Sequence, residues 1–159
     1  MRRKKSYFTP EPGAPSPLTV SVSRRLSFSE VDPMGVAWHG RYPQFFESSS
    51  EALGRRIGLS YKDYFEHNLR APIVQIHIDY FRSVFLEEEI TIQARLLWCE
   101  SARMNMEYSI LKENGAIAAT GFTVQMFTCG DTSEPYIVVP ALIDKMRKKW
   151  KTGEFKCLQ

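Results

Sequence analysis

Two periods divide this chain. From Arg41 to Ile57, Tyr42, Phe46, Ser49, Leu53 and Ile57 fall at spacings of four, three, four and four, and Phe45 and Ala52 widen the stripe. That pattern makes an amphipathic helix of about four to five turns, with Gly58 placed to cap it. After Pro72 the period drops to two. Val74, Ile76, Ile78 and Tyr80 share one face of a strand, and the runs Ile90 to Trp98, Met104 to Ile110 and Ala116 to Met126 alternate in the same way. Asn114-Gly115 supplies a tight hairpin turn. An earlier strand is expected from Leu18 to Phe28, where Val20, Val22, Arg24, Leu26 and Phe28 are spaced by two. Short connections between successive strands make them antiparallel. Only one long helix is available to cover them. The expected fold is therefore α+β: an antiparallel sheet of about five strands wrapped around one long central helix.

Ser60 to His67 is expected to form a short second helix. Pro140 to Trp150, with Leu142, Ile143, Met146 and Trp150 at helical spacing, reads as a terminal helix packed on the domain. Residues 1–17 carry Pro10, Pro12, Pro15 and Pro17 and read as a flexible, basic arm. Residues 18–150 form a single domain, and 151–159 a C-terminal tail. A sheet with one helix on one face leaves its edges open, and edge pairing in a symmetric assembly would cover them. A homodimer or homotetramer is expected.

The net charge of +3 is concentrated at the ends, at Arg2, Arg3, Lys4 and Lys5 and at Lys145, Arg147, Lys148, Lys149 and Lys151. The arm is short and lacks a helix-turn-helix pattern, so no nucleic-acid partner is expected. Cys99, Cys129 and Cys157 show no CxxC spacing, which points away from a zinc site or disulfide framework and towards a reducing cytoplasm. No apolar run approaches the ~20 residues of a membrane span, and no apolar segment follows the basic N-terminus as in a secretory signal.

Chemistry concentrates where the first strand gives way to the helix. Asp32 sits in an Asp-Pro-Met-Gly loop, and His39 follows seven residues later, just before the helix. A helix start gathers unpaired N–H groups and partial positive charge, and an acid facing it could prepare a carbonyl for attack. The plainer reading of Asp32 is an Asx-turn. Gly35 and Gly40 allow close backbone approach to a ligand; Gly35 could equally be a turn residue. For His39 three readings stand: a side chain that bonds substrate or Asp32, a backbone N–H alone, or a helix-entry residue without a role. Trp38 is the aromatic residue expected to line a substrate pocket. Glu47 reads as a solvated helix glutamate that could reach the same cleft, and His77 as structural or interfacial. Asp32, His39 and Glu47 lack recognised ligand spacing, so neither metal nor cofactor is expected.

The run FSEVDPMGVAWHGRYPQFFE, residues 28–47, resembles the opening of the 4-hydroxybenzoyl-CoA thioesterase-like proteins, which have the hotdog fold. These include aromatic acyl-CoA thioesterases and the acyl-CoA thioesterases associated with bacterial Tol–Pal gene clusters. The matching positions are Phe28, Glu30, Asp32, Gly35, Val36, Ala37, Trp38, His39, Tyr42 and Glu47. The order of elements agrees from Leu18 to Thr128. Where the family's helix often continues into an arginine-containing stretch, this one reads Ser48-Ser49-Ser50. The Asp-Pro order is similar to the aromatic-acyl enzymes and His39 to the Tol–Pal type, which leaves the acyl group open.

The resemblance implies an acyl-CoA thioesterase that hydrolyses a fatty or aromatic acyl-CoA to free acid and CoA. Asp32 would be its catalytic carboxylate and His39 the helix-start residue whose N–H meets the thioester oxygen. Thiolate leaves readily, since a thiol has a pKa of roughly 8.5. Asp32 could attack directly, giving an acyl–aspartyl anhydride, or deprotonate a water. The rival readings are a hotdog acyl-thioester dehydratase or hydratase and a non-catalytic acyl-CoA-binding module.

Overall fold

The computed structural model describes residues 6–158. Seven strands and three α-helices follow in order: β1 (Leu18–Arg25), α1 (Tyr42–Ile57), α2 (Tyr61–Glu66), β2 (Leu69–Arg70), β3 (Ile73–Tyr80), β4 (Glu89–Leu97), β5 (Arg103–Lys112), β6 (Ile117–Met126), β7 (Thr128–Cys129) and α3 (Ala141–Lys151). Two 3-10 turns, Phe28–Glu30 and His39–Arg41, lie between β1 and α1. Five antiparallel strands form the main sheet in the order β1-β4-β5-β6-β3. β1 pairs along its full length with β4, from Leu18 opposite Leu96 to Arg25 opposite Glu89.

Alternation gives this sheet two unlike faces. Leu18, Val20, Ile90, Ile92, Ala94, Leu96, Met106, Tyr108 and Ile110 are buried beneath α1. The helix presents Tyr42, Phe45, Phe46, Ser49, Leu53 and Ile57 to them, all buried. Phe46 stacks flat on Tyr108, with ring centroids 4.2 Å apart. Gly121 in β6 faces this stack, and a Cβ there would lie 2.7 Å from the Phe46 ring and 2.3 Å from the His77 carbonyl. The helix ends where Gly58 adopts φ +74°, its N–H bonding to the Gly54 carbonyl. α2 then starts on a capping box in which Ser60 and Asp63 satisfy each other's backbone donors.

The first strand is shorter than its alternation suggests. It stops at Arg25, and Phe28–Glu30 turns because the Glu30 carboxylate accepts from both Ser27 N and Ser27 Oγ at 2.8 Å. Local side-chain bonding wins over the strand ladder there.

The arm expected over residues 1–17 lies on the sheet wherever it is described. Residues 1–5 lie outside the described residues, but from Ser6 onward the chain crosses the outer face of the sheet. Tyr7 N and Ser6 Oγ donate to Glu107 Oε1 on β5, at 2.6 and 2.5 Å. Tyr7 and Phe8 pack against Phe122 of β6. Glu11-Pro12-Gly13-Ala14 forms a turn closed by Ala14 N donating to Glu11 O, with Gly13 at φ +73°. At its end, Ser16 O accepts from Trp150 Nε1 of α3. The prolines fix backbone angles here, and two aromatic rings supply the apolar contact. The sheet ends in two edge strands, β1 and β3, and on β3 Ile73, Val74, Ile76 and Tyr80 are 43–55% exposed.

Candidate functional site

The corner between β1 and α1 is built on Glu30. This carboxylate is buried, accepts both donors of Ser27, and pairs with Arg24 at 2.5 Å. Burial alone would raise its pKa; the Ser27 hydrogen bonds and the Arg24 guanidinium outweigh that and hold it below the usual value. Arg24 in turn lies over the Phe45 ring of α1, 5.0 Å from its centroid. The Glu30 carbonyl accepts from Trp38 N at 2.9 Å, so the turn is tied to the entry of the helix.

Between these anchors Val31 to Ala37 folds back on itself. Asp32 N donates to Val36 O, and Gly35 N returns to Asp32 O, both at 2.9 Å. Asp32 Oδ1 accepts from Met34 N at 2.8 Å and from Val36 N at 3.4 Å. This is the Asx-turn. It engages one carboxylate oxygen; Oδ2 takes no hydrogen bond from a described residue. Gly35 stands at φ +74°, a turn requirement that its neighbourhood leaves otherwise unobstructed. The loop is also pinned from outside, by Ala37 N to Val84 O and Leu86 N to Gly35 O.

His39 opens the 3-10 turn that leads into α1. N–H groups at such a start lack partners within the helix, and Arg41 N turns back to Trp38 O. The His39 ring is exposed and lies 5.1 Å from that of Trp38. No hydrogen bond or ion pair joins it to Asp32, so the structure does not bring the two side chains into a dyad. At Gly40 a Cβ would fall 2.3 Å from the Trp38 ring, so a side chain there would require that ring to move. Trp38 is itself 46% exposed and folds over Gly40. Val36, Ala37, His39 and Tyr42 face Tyr80, Phe81 and Arg82 across a hollow of about 320 Å³.

A larger cleft, about 820 Å³, lies on the other side of the first turns of α1. Its walls are Phe46, Leu53, Leu59, Tyr61, Tyr64, Phe65, Ile73, Ile76, Met104 and Met106. One wall carries linked hydroxyls: Ser50 Oγ lies 2.7 Å from Tyr108 OH, which lies 3.1 Å from Thr123 Oγ1. At the mouth, Tyr61 OH donates to Glu47 at 3.0 Å, and burial together with this bond pushes the Tyr61 phenol up to about 12. Glu47 thus belongs to the rim of the cleft. Tyr42 and Phe45, aromatic members of the helix stripe, are core. Sequence reasoning missed the contribution of α2, because its six residues give no readable face; the pair Tyr61 and Phe65 at i,i+4 was the available signal. Among the described residues no cluster of three or more His, Cys, Asp or Glu side chains gathers to hold a metal.

A five-stranded sheet around one long helix, with an acid-bearing turn at the helix start, is the hotdog architecture. The chain belongs to the thioesterase-like superfamily, whose family model matches residues 26–150. Among curated proteins it is similar to an L-carnitine dehydrogenase/betainyl-CoA thioesterase of Agrobacterium fabrum, 29% identical over 113 residues, which is 71% of this chain and 23% of that protein. Matches to the curated relatives span 23% to 59% of those proteins' own lengths. Among solved structures, a DHNA-CoA thioesterase from Staphylococcus aureus superposes with a TM-score of 0.76 at 23% identity, covering 87% of this chain and 95% of that one. A second Staphylococcus aureus protein, SAV2348 in complex with CoA, gives 0.73 at 14% identity, covering 92% and 88%.

Proposed function

We propose that the chain is an acyl-CoA thioesterase, hydrolysing an acyl-CoA to the free acid and CoA. The observation that carries this reading is the Asp32 turn: one carboxylate oxygen is locked to Met34 N and the other is left to act beside a helix start. Asp32 serves as nucleophile or as general base to a water. The N–H groups at His39 and Gly40 hold the charge that develops on the thioester oxygen, a kind of donor worth about 3–4 kcal/mol of barrier. In this reading His39 acts through its backbone, with its ring turned towards Trp38. The acyl group occupies the larger cleft, whose apolar walls suit it. Two copies pair along the exposed edge of β3. The setting is a reducing cytoplasm, in keeping with three free thiols; no helix among the described residues is long and apolar enough to cross a membrane.

Thiol release should be measured on fatty, aromatic and betainyl acyl-CoAs with the wild type and Asp32→Asn. The relatives' names widen the panel beyond fatty acyl groups. Release by the wild type and its loss in Asp32→Asn support the reading. No release from any substrate rules out the activity, and full activity in Asp32→Asn rules out the residue.

A further inference from the structure

The strand β3 is held from both faces by side chains, and one of the holders belongs to the N-terminal segment. On the outer face, Tyr7 OH donates to Asp79 Oδ2 at 2.5 Å and lies 2.6 Å from Thr120 Oγ1 on β6. Its ring meets His77 edge-on at 5.7 Å and Phe122 at 5.1 Å. Its backbone N–H is fixed to Glu107, whose side chain is 1% exposed and whose second oxygen pairs with Arg95 of β4. Tyr7 therefore cross-ties β3 to β6 and β5. On the inner face the next residue of β3, Tyr80, stands edge-on against Tyr42 at 4.8 Å, and its hydroxyl donates to the His39 carbonyl at 3.4 Å. Asp79 and Tyr80 are neighbours, so they point to opposite faces of one strand. Within one chain β3 is hydrogen-bonded to β6 alone, so side chains on its two faces add to that single ladder.

We infer that Tyr7 is a positioning residue: through Asp79 and Tyr80 it fixes the helix start at His39 where the thioester oxygen is held. This rests on the thioesterase reading for its catalytic consequence, though not for the clamp itself. Burial and the bond to Asp79 keep the phenol protonated, with its pKa pushed up to about 12, so it remains a donor across the working range.

The test uses the full chain and Tyr7→Phe, which keeps the ring contacts and removes the hydroxyl. Hydrogen exchange of 73–80 should quicken about tenfold, a lost hydrogen bond to a charged group, while 89–97 is unchanged. The amide resonances of His39 and Gly40 should shift, and kcat should fall about tenfold with KM within about twofold. Unchanged exchange in β3, or faster exchange with His39 and Gly40 unmoved, overturns the inference. So does faster exchange in an active enzyme whose kcat is unchanged. If the wild type releases no thiol, only the activity fails; exchange and resonances still decide the clamp.

Discussion

The Asp32 corner and the α1–α2 cleft flank the same helix, yet they are built in opposite ways. The corner is made almost wholly of residues 24–42, joined by short backbone bonds and one buried carboxylate. The cleft draws its walls from residues between 43 and 133, on two helices and five strands. A corner of local bonds holds one group in one geometry. A cleft of apolar side chains sets size and shape and can be altered piece by piece. The proposed function assigns chemistry to the first and acyl selection to the second, so substitutions should divide between kcat and KM along this line.

The largest effect tests the corner. Asp32→Asn keeps the acceptor for Met34 N and removes the charge, so kcat/KM should fall at least about a hundredfold. The thermal midpoint should stay close to that of the wild type. A comparable loss of stability would mean that the corner's role is structural.

Two glycines then separate the regions by mechanism. Gly121→Ala forces the Phe46–Tyr108 stack and the His77 carbonyl apart, which should cost about 1–3 kcal/mol in a denaturant titration. Gly35→Ala meets no atom but must hold φ +74°, at about 1–2 kcal/mol. The first should broaden acyl selection and the second should lower kcat. If both changed selection alike, the division would fail.

Acid should act through Glu30. Its carboxyl is held below the unfolded value in the native protein. The unfolded chain therefore takes up this proton first as pH falls. The contribution to stability is complete above an unfolded pKa of about 4.3 and is lost as pH drops through the lower native value. Glu30→Gln should flatten that part of the stability profile measured by urea unfolding. A profile identical to the wild type would mean that Glu30 does not organise the corner.

The smallest effect belongs to the rim of the cleft. Tyr61→Phe loses one exposed hydrogen bond to Glu47, and KM should change about threefold at most, with kcat intact. A fall in kcat would tie Glu47 to the chemistry and break the division.

The same contrast explains what could be read from residues alone. Asp32, Gly35 and His39 lie within eight positions, and turn and helix-start chemistry act over that distance. The helix stripe and the strand alternation are also local patterns, and their sum allows few architectures. The cleft was illegible because Tyr61, Met104 and Thr123 meet only after the sheet closes. So was the seat of Tyr7, whose partners Asp79, Glu107 and Thr120 lie 72, 100 and 113 positions away. Gly40 shows a subtler limit. Its type was noticed, but the Trp38 ring that lies over it cannot be placed from spacing.

The bond from Trp150 Nε1 to Ser16 O joins positions 134 apart. Trp150 is 2% exposed and sits edge-on to Trp98. During synthesis the five-stranded sheet can close once β6 has emerged, but the foot of the N-terminal segment has no partner until position 150 has been made. Contacts of such separation are slow to form. The stretch that ends at Ser16 should thus be among the last parts of this fold to settle, after the sheet it lies on.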